Sequence, residues 1–457
     1  MHSKFDRSSL ADPMSSRRDI LKQGLALGVG AAHLALPLPG LAASRHAHGV
    51  GGKIRSAVLN DKTIRNFGGM GFGYHMSWAG DDRQYVVVND GAGWAEKPTT
   101  LYNARLWTID GDVSNPVFKD ASSYPDLSED SHMGEAPRYF GSGMIALRGR
   151  IYHFLSTLDR AEDRPRRWTG SKLIYSDDGG RSWRNQNGST PVVWEDWKDQ
   201  TRERFAFFNE TGGCFAMPSV LQMGKDYSAN RDGYIYVYAP NGSVDGLMNQ
   251  LVMYRVPIAK MLDRASYEFF SGLSGSGTAR WSKDIAARKP VHEFPRGWVN
   301  YTNLFPGDIV VESWLPSVVY NEPLGVYMMT SAGIGCGPDG TEFGKPSYMG
   351  IWVSKNPWGP WRQIHEETAW MPNGDAGALA YAPRISPKWI SADGKSFWFA
   401  WSNIKGIREF GRDEALLAAA IEKAPTQEER RLVPLDFLRR YMPGLSFNIQ
   451  RVDLVVD

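Results

Sequence analysis

Cysteine is nearly missing: Cys214 and Cys336 are the only two in 457 residues. That excludes a disulfide framework and a multi-cysteine zinc site. An excess of one charge is missing too, with 52 basic residues against 50 acidic ones. A polyanion-seeking nucleic-acid binder should carry a visible Lys/Arg surplus. Long apolar runs are absent beyond Gly24–Leu38, which Gly and Pro interrupt and which is too short for a convincing membrane span. Helical periods are few: Ala259–Phe269, Asp413–Ile421 and Gln427–Arg439. A two-domain α/β enzyme would need many more between its strands. No His/Cys cluster has metal-ligand spacing, and no Gly-rich loop sits on a strand-to-helix turn.

What is plentiful is Gly (48), Trp (17), Tyr (19) and Phe (20). Many turn formers beside many strand-compatible rings point to an all-β chain.

Residues 1–44 read as an address. Ser16-Arg17-Arg18-Asp19-Ile20-Leu21-Lys22 has the twin-arginine pattern, and Gly40, Ala42 and Ala43 offer a cleavage site. The expectation is export of an already folded protein to the periplasm or beyond. Cys214 and Cys336 could then pair, but folding in a reducing cytoplasm argues against a required disulfide. The segment holds five basic and three acidic residues, so the remainder, 45–457, carries 47 of each and is neutral.

Strand-like runs then recur with turns between them: Tyr74–Trp78 with Tyr85–Val88, Gly141–Leu147 with Ile151–Leu155, and Ala216–Met223 with Tyr234–Tyr238. Ser317–Tyr320 with Val326–Thr330 and Ala380–Ile390 with Ser396–Trp401 follow. Five similar units of three or four strands predict a five-bladed β-propeller. It is a single domain with a short helical insertion at about 411–442 and a closing strand at 446–456. That strand either joins the first blade or completes the last. Ser176-Asp177-Asp178-Gly179-Gly180-Arg181-Ser182-Trp183 fits the Asp-box of sialidase-type propellers, which makes Asp178 a turn residue on the outer rim. Ser354–Trp361 and Ser391–Ser396 look like degenerate copies.

In a propeller the inner strand of each blade starts at one face and the second strand ends there. Residues at those places are expected to converge on an axial pocket. They are His75 and Tyr74 with Asp90, then Glu135 and Arg138, Glu210, Glu312 with Trp314, and Asp375 with Arg384. Converging carboxylates and rings are what glycoside cleavage needs: one acid protonates the leaving oxygen, the other is nucleophile or base, and rings stack on sugar. Each has a plainer reading. Single carboxylates are commonly turn caps or ion-pair partners. Asp81, Asp82 and Glu322 read as turn residues, His153 as packing, and His75 as either a site residue or a satisfied core histidine.

The stretches Trp78–Tyr85, Asn89-Asp90-Gly91, Met223–Tyr227, Pro316–Gly325 and Asn356–Trp361 resemble a bacterial family of five-bladed propellers. That family was long catalogued as a domain of unknown function and includes endo-D-arabinanases. The similarity runs from about Phe67 to Asp453. The resemblance implies two acidic residues on the first blade. Asp90 matches one; the other falls near Phe72-Gly73, where this sequence has no carboxylate and His75 lies close. The partner acid is then expected from Glu210, Glu312 or Asp375.

Three functions follow as expectations. The first is an exported glycoside hydrolase acting on a furanose- or uronate-containing polysaccharide, with Asp90 and one of Glu210 or Glu312 as the acid/base pair. The second is a polysaccharide lyase with His75 or a Tyr as base and Arg138 or Arg384 neutralising a uronate. The third is a non-catalytic glycan-binding propeller. Tyr74, Arg138, Trp314, Asp375 and Arg384 are the expected substrate contacts. The expected partner is a polysaccharide or oligosaccharide, with no nucleic acid, no membrane insertion after signal cleavage, and a monomeric chain. No cofactor and no metal ligand set is predicted; a cation on the propeller axis would leave no readable motif.

Overall fold

The computed structural model describes residues 54–128, 139–159, 168–242, 249–295, 314–335, 343–406, 413–441 and 446–457. The twin-arginine segment, Glu135, Arg138, Glu312 and Cys336 lie outside them.

Five antiparallel sheets form the blades. The first runs outward through Met70–Trp78, Gln84–Gly93, Tyr102–Asp110 and Val117–Asp120. The second is Tyr139–Leu147, Arg150–Leu158, Trp168–Ser176 and Ala206–Phe208, with Arg184–Asn185 also on its third strand. The third starts at Ser219–Val220 and continues through Tyr234–Pro240, Gln250–Pro257, Glu268–Leu273 and Ala279–Ser282. The fourth is Ser317–Asn321, Val326–Gly333, Tyr348–Ser354 and Arg362–Glu367. The fifth is Ala380–Ile390, Ser396–Asn403, Asn448–Val456 and, outermost, Ile54–Asn66. The chain is a five-bladed β-propeller.

The last strand completes the fifth blade, and the first described strand then pairs on it from Ile54↔Val456 to Asn66↔Asn448. Joining the two ends of the chain in one sheet closes the ring. Residues 54–66 were not legible as a strand, because their buried positions do not alternate strictly. The helices Glu414–Lys423 and Gln427–Arg440 sit between the second and third strands of this blade. Ala259–Phe269, expected to be helical, instead holds two short 3-10 turns, Ile258–Lys260 and Arg264–Ser266. Among the described residues no helix is long and apolar enough to cross a membrane.

Packing follows the pleat. Val86, Val87 and Val88 are all fully buried, because blade faces on both sides cover a second strand. The Asp178 turn joins the third strand of the second blade to its outer part. Asp178 Oδ1 accepts from the amides of Arg181 and Ser182, each at 2.9 Å. The Ser391–Ser396 turn differs from the expected rim position: it joins the inner and second strands of the fifth blade, with Asp393 Oδ1 accepting from Lys395 N at 3.0 Å.

Candidate functional site

The inner strands share one irregularity. Between Gly73 and Met76, Gly141 and Met144, and Tyr381 and Arg384, each runs one residue longer than its partner strand. These bulges kink the chain where it reaches the axis. In the third and fourth blades the same place carries Pro218 and Pro316, and the fifth has Pro383 within its bulge. Proline is tolerated because an inner strand is a sheet edge and needs no N–H on its axial side.

The freed carbonyls receive a ring of cross-links. Asn89 Nδ2 donates to Gly141 O and Gly141 N to Asn89 Oδ1, both at 2.8 Å, joining blades one and two. Ser142 Oγ and Gly143 N donate to Pro218 O, each at 2.7 Å, joining two and three. Ser219 Oγ donates to Pro316 O, and Thr330 Oγ1 to Pro383 O at 2.9 Å. Arg384 Nε closes the circle by donating to Gly73 O at 2.8 Å.

Arg384 does more. Its Nη1 donates to Leu315 O at 3.0 Å and Pro316 O at 2.9 Å, and its Nη2 lies 2.9 Å from His75 Nε2. The guanidinium is buried, and burial pulls its pKa down to about 10. Burial, with the neighbouring Arg384 charge second, holds His75 well below the ordinary histidine range. His75, Met144, Ser219, Ser317 and Arg384, one residue from each blade, line a cavity of about 10 Å³ on the axis, room for about one water.

Asp90 lies near the end of the second strand of blade one. Between the pairs Phe72↔Asn89 and Met70↔Gly93 that strand bulges, and Asp90 adopts φ +46°. The bulge needs glycine beside it: a Cβ on Gly91 would fall 2.0 Å from Met70 O. On the crossing into blade five, two residues after Asn373, whose amide donates to Asp61 of the outermost strand at 3.1 Å, Asp375 Oδ2 accepts from Lys405 Nζ at 2.9 Å. That bond, with the Gly377 amide, lowers the Asp375 pKa and keeps it a carboxylate. The rings of Phe72 and Tyr381 meet edge-on at 5.9 Å, and Phe343 meets Tyr381 at the same distance. Phe72 and Tyr381 are only half-buried.

Other expected site residues fall elsewhere. Glu210 is not axial. It pairs with Arg264 at 3.4 Å and Arg202 at 3.8 Å, on loops beside the third and outermost strands. The chain must cross the whole radius from blade two's rim to reach Ser219, and Glu210 stands at the start of that crossing. Trp314 is fully buried and stacks on Phe294 at 4.6 Å, so it is core rather than a sugar platform. Tyr74 is buried at a φ of +41°, its hydroxyl donating to Gly71 O at 2.6 Å, and shapes the bulge rather than facing ligand. Four of the five Arg384 N–H donors are committed to the framework. Asp82 and Glu322 are turn residues in ion pairs with Lys388 and Arg231, both 2.8 Å. Cys214 is buried. Among the described residues no cluster of three or more His, Cys, Asp or Glu could hold a metal.

The missed features were Lys405, the Phe72–Tyr381 pair and the axial ring. A signal existed for the last: Pro218-Ser219-Val220, Pro316-Ser317-Val318 and Pro383-Arg384-Ile385 are one repeated tripeptide, with arginine replacing serine in the third copy.

No curated protein matches the chain in sequence. Several solved structures are similar at large scale. A GH43_1 enzyme from Xanthomonas citri is 12% identical, with 85% of this chain and 89% of that one covered and a TM-score of 0.42. A xylan beta-1,4-xylosidase from Bacillus halodurans is 11% identical, covering 74% and 49%, TM-score 0.39. An endo-arabinase from Bacteroides thetaiotaomicron is 13% identical, covering 78% and 92%, TM-score 0.36. Residues 126–406 match the model of a domain of unknown function, DUF4185, and the chain belongs to that family.

Proposed function

We propose that this protein is an exported glycoside hydrolase whose substrate is a furanose- or uronate-containing polysaccharide bound at the axial mouth. The observation that carries the reading is Asp90, held in a glycine-supported bulge whose strand pairs with Phe72, with the half-buried Phe72–Tyr381 rings beside it. Strained backbone that aims one carboxylate is a device of working sites. Asp375, held ionised by Lys405, supplies the second carboxylate in place of Glu210. In this scheme Asp90 handles the proton of the leaving oxygen, and Asp375 stabilises positive charge at the anomeric carbon or activates water. The rings cover the apolar face of the sugar.

The lyase alternative loses its two main residues. His75 Nε2 is occupied by Arg384, and Arg384 spends its donors on three carbonyls and that ring. Incubating the mature protein with arabinans, pectins and uronate polysaccharides, then weighing the products, tests the reading. Hydrolysis adds water to the products; unsaturated products absorbing in the ultraviolet would mean a lyase, and binding without products a glycan-binding propeller. Export by the twin-arginine route is tested by replacing Arg17 and Arg18 with lysine and following the protein's compartment; unchanged export would refute it.

A further inference from the structure

We infer that Arg384 locks His75 as a neutral, Nδ1-protonated hydrogen-bond donor at the pocket floor, so that His75 offers a proton to an acceptor oxygen of the ligand and takes none from it. The inference starts from what a guanidinium can do. It has five N–H donors and no acceptor. An Arg384 Nη2 at 2.9 Å from His75 Nε2 therefore requires a lone pair on that nitrogen. The single hydrogen of a neutral imidazole is then on Nδ1.

Arg384 cannot swing away to release the ring. Nε and Nη1 hold carbonyls of Gly73, Leu315 and Pro316, from the first blade and from the approach to the fourth. Among the described residues its hydrogen-bond partners are three carbonyls and the His75 ring, with no carboxylate, so its charge opposes a second positive charge on the neighbouring imidazole. The groups facing His75 from other blades agree. His153 on the second blade is buried and held near pKa 3, so it brings no charge. The third and fourth blades present Ser219, Gln222 and Ser317, which do not titrate. Tyr74, its neighbour in sequence, is buried and kept protonated. His75 is thus a fixed donor across the working range of pH. It suits a hydroxyl or ring oxygen of a neutral sugar and offers nothing to a cation. This consequence for the ligand rests on the carbohydrate reading; the lock itself does not.

The experiment is nitrogen NMR of the full mature protein with ¹⁵N-labelled histidine, titrated from about pH 5 to about pH 8, the range in which an ordinary histidine changes charge. His75→Gln identifies the ring. The expected result is one imidazole with the neutral Nδ1–H pattern throughout. Arg384→Lys should keep that pattern, because an ammonium also only donates. Arg384→Met should free Nε2 and raise the midpoint by about one pH unit or more. A wild-type His75 that titrates within the range, or that shows the Nε2–H tautomer, overturns the inference. If Arg384→Met fails to fold, the wild-type spectrum decides alone. A locked ring in a protein that neither binds nor cuts any carbohydrate upholds the lock and removes the carbohydrate reading.

Discussion

Asn89 and Gly141 exchange two hydrogen bonds of 2.8 Å, side-chain amide to backbone, across the seam between the first and second blades. Asn89 immediately precedes Asp90, so the clamp that ties two blades also sets the start of the bulge that displays the carboxylate. Asn89→Ala leaves a buried N–H and a buried C=O of Gly141 unpaired. The expected cost is about 2–4 kcal/mol in denaturant unfolding, since each orphaned group costs about 1–3 kcal/mol. Turnover should fall with it. An Asn89→Ala protein of unchanged stability would remove the clamp from the account.

Asp178 tests the opposite assignment, a carboxylate that serves the fold alone. Ser176, Arg181 and Ser182 bond to it, and its pKa lies near 2. Because the folded pKa is below the unfolded one, its contribution is present above about pH 4 and lost as pH falls toward 2. Asp178→Ala should lower the melting temperature and leave kcat within about twofold; a large loss of kcat in a protein of native stability would contradict it.

Lys172 is buried, with no hydrogen-bond partner for Nζ among the described residues, beneath the Phe205 ring at 4.5 Å. Burial lowers its pKa to about 8, against the smaller upward pull of Glu195, whose own pKa burial raises. Between about pH 8 and 10.5 the unfolded chain binds this proton and the folded one does not, so stability gains from Lys172 as pH rises through that window. Replacing both partners, Lys172→Met with Glu195→Gln, should raise stability at pH 7 by about 1–3 kcal/mol. The difference from wild type should shrink by pH 10. A double variant less stable than wild type at pH 7 would show that the pair helps the fold.

Phe72 and Tyr381 are expected to bind sugar without doing chemistry. Alanine at either should raise KM about tenfold, as loss of about 1–1.5 kcal/mol of ring contact implies, with kcat little changed. Inhibition or titration with oligosaccharide fragments measures this. KM values unchanged from wild type in both variants would place the ligand elsewhere.

The blades were legible because local chemistry repeats: alternating apolar positions, Asp-Gly turns and the Asp178 box each announce a hairpin. Radial position was not. A crossing from rim to axis has no pattern of its own, so Glu210 was expected at the pocket although it is bonded at the outer strands, whereas Ser219, which lines the axis, was passed over. Burial was equally hidden for Trp314, since a ring in the core and a ring on a platform read alike. Arg384 was expected at the axis, but as a substrate contact; its framework role shows only in its hydrogen bonds to Gly73, Leu315 and Pro316. The outer strand 54–66 escaped because its partner, Asn448–Val456, lies at the other end of the chain.

The measurement that bears most directly on the central claim compares wild type with Asp90→Asn on an arabinan and uronate-polysaccharide panel, with products weighed by mass spectrometry and folding checked by melting temperature. The account predicts water-added fragments from wild type and a fall in kcat of about 10²-fold or more for Asp90→Asn at unchanged stability. Wild-type rates from Asp90→Asn, or dehydrated fragments from either protein, would contradict it.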